Sequence, residues 1–115
     1  MRVWDVSPSD LCRVHLLGEH RELHAIWTIL TTNKKGYLNH PETRRWVGKL
    51  GALYNRHEAL VKEMEKRKYV HKSSLDKKLA TGRLVQDAFV NTVEEQKIIL
   101  KNKVCDCYVL IPLQE

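Results

Sequence analysis

The sequence predicts an all-α fold, a compact single domain over residues 1–115 with about three main helices. Two long stretches carry apolar residues at alternating spacings of three and four, which is the period of a helix with one buried face. Each of these stretches begins at residues typical of a helix start. The length of 115 residues and the hydrophobic content of 43% suit a globular domain with one modest core.

The first predicted helix begins at Ser7 and ends near Leu30. Ser7 is a favourable N-cap, Pro8 fits the first helical position, and Asp10 places a negative charge in the first turn, where the helix dipole favours one. Residues 31–37, TTNKKGY, are β-branched, then polar, and then include a glycine, which indicates the end of this helix.

The second predicted helix begins at His40, with Pro41 in its first turn, and ends near Lys68. Its apolar positions form one core-facing stripe, to which we assign Trp46, Leu50, Leu53, His57, Leu60 and Met64. Gly48 and Gly51 weaken the early turns or allow a neighbouring segment to pack closely.

The rest of the chain is less regular. For residues 69–91 we expect a loop with a short helical piece. Thr92 and Glu95 then form a capping-box pattern, which predicts that the stretch VEEQKIILKNK is a third helix. The final stretch, CDCYVLIPLQE, has a strand-like composition without an obvious partner strand.

Several classes of protein are disfavoured by composition. No apolar run approaches the roughly 20 residues that span a bilayer, and MRVWDVSPSD lacks the apolar core of a secretory signal. The odd number of cysteines, Cys12, Cys105 and Cys107, argues against a disulfide framework. Cys-Asp-Cys has too few neighbouring ligands for a zinc site. We therefore expect a cytoplasmic protein without a membrane partner.

The net charge of +6 favours a polyanionic partner. A basic surface that is merely solvated is the alternative that composition leaves open.

The first helix carries acids on its apolar side. At about 100° per residue, one apolar arc of roughly 100° holds Cys12, Leu16, Leu23, Ile26, Trp27 and Leu30, and Leu11 and Ile29 extend it on one side. His15, Glu19 and Glu22 fall within this extended arc. A carboxylate buried without a partner is costly, so both acids should be paired, hydrogen-bonded or exposed to a cleft.

Three interpretations of this face remain open. Glu19 and Glu22 could form an inward salt-bridge network with Arg or Lys of the second helix. His15 and the two acids, with His57, could instead ligate a metal ion inside the bundle. In the third interpretation a catalytic carboxylate lies in a cleft, beside Arg21 that holds an anionic substrate.

A family resemblance bears on this choice. The stretch HLLGEHREL at residues 15–23 resembles the first helix of the pyrimidine-dimer DNA glycosylase family, with its histidine followed by Glu-x-Arg-Glu-Leu. Residues 60–67, LVKEMEKR, resemble the end of a long later helix of that family, and the opening Met1-Arg2 also fits. Together the similar stretches cover about residues 1–69.

The resemblance implies a DNA glycosylase with AP-lyase activity on cyclobutane pyrimidine dimers, without a cofactor. The N-terminal α-amine of this family attacks the anomeric carbon of the sugar, and the resulting imine undergoes β-elimination that cleaves the strand. The catalytic glutamate corresponds to Glu22, and the neighbouring DNA-contacting arginine corresponds to Arg21. The N-terminal arginine of the family corresponds to Arg2 and its helix-one histidine to His15.

The start of the chain departs from a phage member of the family, which loses its initiator methionine. Arg2 is too large for methionine aminopeptidases, which generally admit only small second residues. Counting back from Glu22, Met1 itself falls at the place of the nucleophile. We therefore expect Met1 to be retained and its amine to attack. Ala25 is a further departure, because the phage member has another arginine there.

The expected partner is double-stranded DNA that contains damaged bases or abasic sites, bound by a monomer that is nucleoid-associated if the source is prokaryotic or viral. Candidate phosphate contacts are Arg2, Arg21, Lys34, Lys35, Arg44 and Arg45. Tyr37 could stack on a flipped base or pack internally. An AP lyase, a glycosylase for another base lesion, and a non-catalytic basic helical DNA-binding module are the alternatives.

Overall fold

Four α-helices form the architecture of the described part of the chain, which comprises residues 2–32, 40–69 and 74–102 of a computed structural model. They are α1 (Arg13–Thr32), α2 (Pro41–Arg44), α3 (Leu50–Lys66) and α4 (Val93–Lys101), with 3-10 turns at Pro8–Asp10 and Lys77–Leu79. These ranges contain no strand, which confirms the all-α prediction. None of their helices is long and apolar enough to cross a membrane.

The predicted first helix is divided in the structure. Pro8–Asp10 is a separate 3-10 turn, and the backbone is extended at Leu11 before α1 begins. The Arg67 guanidinium at the end of α3 donates hydrogen bonds to the carbonyls of Pro8 (3.3 Å) and Leu11 (2.7 Å). Because a distant side chain satisfies these carbonyls, the chain does not need a continuous helix there.

The predicted second helix is also divided. His40 accepts a hydrogen bond from the Glu42 backbone N–H, which confirms the predicted start. α2 ends at Arg44, and turns lead to Gly48, whose φ of +74° lies in the left-handed region that favours glycine. The Gly48 carbonyl accepts a hydrogen bond from the Arg83 N–H at 2.9 Å, so a distant loop stabilises the break.

Gly51 allows this loop to approach the first turn of α3. Its N–H donates to the Thr81 carbonyl at 2.7 Å, and a Cβ atom here would lie 2.6 Å from a methyl group of Leu84. Of the two roles predicted for this glycine, the close contact confirms the second, which is close packing by a neighbouring segment.

The core lies mainly between α1 and α3, with the N-terminal segment 2–6 against it. Its largest fully buried apolar side chains are Trp46, Leu11, Leu16, Leu23, Ile26, Leu53, Leu60 and Leu100. Val3, Trp4 and Val6 of the N-terminal segment are also buried, so this segment is part of the packed interior. The predicted burial of Trp46 and His57 is confirmed.

The later elements agree with the sequence predictions. Residues 74–92 are irregular apart from the 3-10 turn, and α4 begins at the predicted capping box. There the Glu95 N–H donates to the Thr92 hydroxyl at 3.1 Å, and the Thr92 N–H donates to the Glu95 carboxylate at 3.0 Å. The strand-like stretch CDCYVLIPLQE lies outside the described residues, as do Tyr37, Lys34 and Lys35.

Candidate active site

An open cleft of about 350 Å³ lies between the N-terminal segment, α1 and α4. It brings together four residues that the sequence singled out for DNA chemistry: Arg2, His15, Arg21 and Glu22. Its other lining residues are Trp4, Val14, Gly18, Glu19 and Ile99. The cleft therefore brings the Glu22 carboxylate together with arginines from two different segments.

The positions on α1 explain how the helix presents these groups. His15, Gly18 and Glu22 follow one another at spacings of three and four, so they lie along one side of the helix. Glu22 is half-buried and Arg21 is exposed. Gly18 has no side chain to fill the space between His15 and Glu22, which leaves the wall of the cleft open at that point.

Glu19 is fully engaged in an internal ion pair. Its Oε2 accepts from Arg56 Nε at 2.7 Å, and its Oε1 accepts from Arg56 Nη2 at 3.0 Å and from the Trp4 N–H at 3.0 Å. Burial raises the pKa of Glu19, and the Arg56 guanidinium opposes that change. The salt-bridge interpretation is therefore confirmed for Glu19, whose role is structural: it fixes Trp4.

The N-terminal segment is fixed by side chains from distant parts of the chain. The Val3 N–H donates to the Glu42 carboxylate at 3.2 Å, and the Asp5 N–H donates to Gln96 Oε1 at 2.7 Å. These hydrogen bonds hold the backbone at Val3 and Asp5 in place. Such anchoring holds Arg2 and Trp4, which lie in the same segment, at the cleft.

Arg2 is held over an aromatic face at the cleft. Its guanidinium carbon lies 4.4 Å from the centroid of the Trp4 ring, and its Nη2 donates to Asn91 Oδ1 at 2.7 Å. The Trp4 ring also meets the His15 ring edge-on, with centroids 5.9 Å apart. Cys12 Sγ lies 3.3 Å from His15 Nδ1, so the imidazole is positioned from two sides.

The two arginines at the end of α2, Arg44 and its C-cap Arg45, differ in their surroundings. Arg44 is exposed, and it stays a candidate phosphate contact. Arg45 is buried and pairs with Asp5 at 3.0 Å and with Glu42 at 2.8 Å. Because these partners occupy its guanidinium inside the protein, we correct the prediction and remove Arg45 from the candidate DNA contacts. Met1, Lys34 and Lys35 lie outside the described residues.

The metal interpretation of the α1 face was wrong in its choice of ligands. His57 does not line the cleft with His15, Glu19 and Glu22. Its ring instead lies beside that of His24, with centroids 4.9 Å apart. The Glu19 carboxylate is occupied by Arg56, as described above.

Several residues that line or support the cleft could not be predicted from the sequence. Trp4, Asn91 and Ile99 come from segments distant in sequence, and none carries a local motif. Arg56 had a detectable signal, since the buried acids of α1 required a cation from the second predicted helix. The sequence did not indicate which cation this would be.

A comparison with family models identifies the family of the chain. The model for pyrimidine dimer DNA glycosylase matches residues 1–77, which is more than half of the chain and includes every cleft residue except Ile99. No curated protein and no solved structure matches the chain. Four of the cleft residues, Arg2, His15, Arg21 and Glu22, are ones that the resemblance implied. On the family match, the chain belongs to the pyrimidine dimer DNA glycosylase family.

Proposed function

We propose that the protein is a DNA repair glycosylase with AP-lyase activity on cyclobutane pyrimidine dimers. The observation that carries the proposal is the cleft, where Glu22 lies with Arg2, His15 and Arg21 inside the range matched by the family. DNA glycosylase activity on pyrimidine dimers follows from the family, and the lyase step and the roles of single residues are our own assignments.

The proposed nucleophile is the α-amine of Met1. An α-amine titrates near 7.7–8.0, so about a tenth of it is neutral at pH 7, whereas a free lysine offers well under a thousandth. Arg2, which is bonded to Met1, lines the cleft. In the first step the amine nitrogen bonds to the anomeric carbon while the glycosidic bond breaks and the base departs. Loss of the amine proton and opening of the sugar ring then give the imine.

Glu22 assists both steps in this proposal. Its carboxylate stabilises the positive charge that develops on the sugar as the base departs. In the second step it accepts a proton from the carbon next to the imine, and the bond to the 3′ phosphate oxygen breaks by β-elimination. The phosphate leaves with the electron pair, so the strand is cut without an oxidant or a metal ion.

The arginines of the cleft hold the DNA backbone. Arg21 is exposed beside Glu22, where its guanidinium can pair with a phosphate. Arg2 lines the same cleft from the N-terminal segment and is oriented by Trp4 and Asn91. The two guanidinium groups would bind phosphates near the damaged nucleotide, and the target would be made accessible by base flipping.

Borohydride trapping tests the proposal. The wild-type chain should form a reduced covalent complex with duplexes that carry either a pyrimidine dimer or an abasic site. Glu22→Gln should lower strand cleavage by about two to four orders of magnitude, the range of general acid–base assistance. Glu65→Gln is the matched control, because Glu65 is exposed on α3 and does not line the cleft.

The identity of the nucleophile has a separate test. The intact mass of the trapped complex and its peptide map should place the DNA on the amine of Met1. A chain extended before Met1 by a short neutral peptide should lose trapping, although its fold should be unchanged by circular dichroism. An active chain that starts at Arg2 would overturn the assignment of Met1.

The two substrates also separate the alternatives. Cleavage of abasic DNA alone would support a plain AP lyase, and cleavage only of another damaged base would support a different lesion. A protein that binds both duplexes and is never trapped would be a non-catalytic DNA-binding module.

A further inference from the structure

Three histidines converge on the other side of α1 from the cleft. His20 and His24 are one helical turn apart on α1, and His57 comes from α3. The Nε2 atom of His24 lies 3.2 Å from Nε2 of His20 and 3.2 Å from Nε2 of His57. One nitrogen from each ring can be chosen so that all three lie within 4.8 Å of one another.

We propose that His20, His24 and His57 bind one divalent transition-metal ion, Zn²⁺ being the species that best fits three imidazoles. Zinc accepts imidazole nitrogen at about 2.0–2.1 Å in tetrahedral geometry, which places two ligands on the same ion roughly 3.3–3.4 Å apart. Both measured nitrogen–nitrogen distances of 3.2 Å are close to that separation. The chosen nitrogens of His20 and His57 lie within 4.8 Å of each other, a separation that a shared ion would have to shorten.

A carboxylate supports the orientation of the buried ligand. His57 Nδ1 lies 3.1 Å from Glu58 Oε1, and a carboxylate accepts a hydrogen bond there. The hydrogen of a neutral His57 ring is thereby placed on Nδ1, and the lone pair of Nε2 is directed toward His24. Carboxylate–histidine–metal arrangements of this kind are a regular feature of metal sites, because the carboxylate fixes the ring and raises its basicity.

The contacts among the three rings are also better explained by a shared ion than by hydrogen bonds alone. Nε2 of a neutral His24 carries either one hydrogen or one lone pair, yet it faces two other nitrogens. A single hydrogen would have to be shared between two acceptors, which weakens both interactions. Three lone pairs that point at one cation satisfy all three nitrogens at once.

The site is distinct from the cleft. Glu22 is two residues from both His20 and His24, and two residues rotate a helix by roughly 200°, so these histidines face away from the carboxylate. His57 is 1% exposed, whereas His20 and His24 are half-buried. An ion can therefore enter from the surface, cross-link α1 to α3, and keep a fourth position for water. Its effect is on the stability of the fold.

Zinc titration tests the site. The full-length chain, stripped with a chelator, should bind one equivalent of Zn²⁺ by calorimetry, and Co²⁺ should give the intense visible absorption of a tetrahedral complex. His20→Gln and His24→Gln should each weaken binding by about tenfold or more, since even supporting groups contribute that much. Zinc should also raise the melting temperature of the wild type, and it should raise that of either variant less.

His40→Asn is the matched control, because it removes a histidine outside the cluster and keeps an acceptor for the Glu42 N–H. It should bind Zn²⁺ as the wild type does. Glu58→Gln should weaken binding while leaving the Co²⁺ spectrum tetrahedral, as expected of a positioning residue. The proposal is overturned if the wild type binds no stoichiometric Zn²⁺ at micromolar concentration, or if both ligand variants bind as tightly as the control.

Discussion

Individual charged residues in this protein have roles that depend on where their partners lie. Glu19 and Glu22 occupy similar positions on α1, yet Glu19 is paired with Arg56 and Glu22 lines the cleft. The difference arises because α3 presents Arg56 opposite Glu19. Glu19 therefore fixes the N-terminal segment, whereas Glu22 is the carboxylate to which the proposed function assigns the chemistry.

The pair of Glu19 and Arg56 gives a stability prediction. Arg56→Leu removes the cation that pairs with the Glu19 carboxylate. The Glu19 side chain has no exposed surface, so water cannot replace that cation. Removing one partner of a buried ion pair costs about 3–5 kcal/mol of unfolding free energy. Urea denaturation at neutral pH would measure this loss, and the additional change of Glu19 to Leu should restore part of it.

Lys62→Leu is a suitable control for that measurement. Lys62 is an exposed cation on the same helix, and its replacement should change the free energy of unfolding by no more than about 0.5 kcal/mol. If Arg56→Leu is no more destabilising than this control, the Glu19 ion pair does not hold the N-terminal segment.

At the level of elements, the sequence predicted the helical faces better than the helix boundaries. The stripe of α3 and the capping box of α4 are local patterns, and both are confirmed. The break at Gly48 depends on the Arg83 N–H, and the 3-10 turn near Pro8 depends on Arg67. Neither partner is near its target in sequence, so spacing alone could not identify these interruptions.

Partners that are distant in sequence also limited the prediction of the cleft and of the histidine cluster. The family resemblance identified Arg2, His15, Arg21 and Glu22, which the structure places in one cleft. It gave no indication that Trp4, Asn91 and Ile99 would complete that cleft. The spacing of His20 and His24 is visible in the sequence as one helical turn. The third histidine was assigned to the core, and only the packing of α1 on α3 brings it to the other two.

The capping box of α4 predicts a dependence of stability on pH. Hydrogen bonds from the Thr92 backbone N–H and then its side chain lower the pKa of Glu95 from its ordinary value of 4.5. Since the folded pKa is below the unfolded one, the carboxylate adds stability above the unfolded value. That stability is lost as the pH falls through the folded pKa.

Urea denaturation between neutral pH and pH 3 would measure the contribution of the Glu95 carboxylate to the free energy of unfolding. Glu95→Gln should remove part of the acid-induced loss of stability, whereas the exposed Glu65→Gln should leave it closer to that of the wild type. A carboxyl NMR titration that puts the pKa of Glu95 at or above 4.5 would contradict the proposed cap energetics.

In the molecule as a whole, the net charge is +6, and the basic residues fall into two groups. Some pair with other groups inside the fold, and others are exposed. Arg45, Arg56 and Arg67 each donate to backbone carbonyls or carboxylates of the N-terminal region. Arg21 and Arg44 are exposed. The overall charge therefore overstates the surface available for DNA, because several guanidinium groups are occupied inside the protein.

This division predicts different outcomes for neighbouring arginines in DNA binding. Each phosphate contact that is lost should reduce the slope of log affinity against log salt by about 0.9 for duplex DNA. Arg21→Gln and Arg44→Gln should each show that reduction at an unchanged melting temperature. Arg45→Gln should leave the slope unchanged and lower the melting temperature, because its guanidinium is paired with Asp5 and Glu42.

Fluorescence anisotropy over a salt series would measure the slope. If Arg45→Gln reduces the slope as much as Arg44→Gln does, the two arginines are not divided between fold and surface.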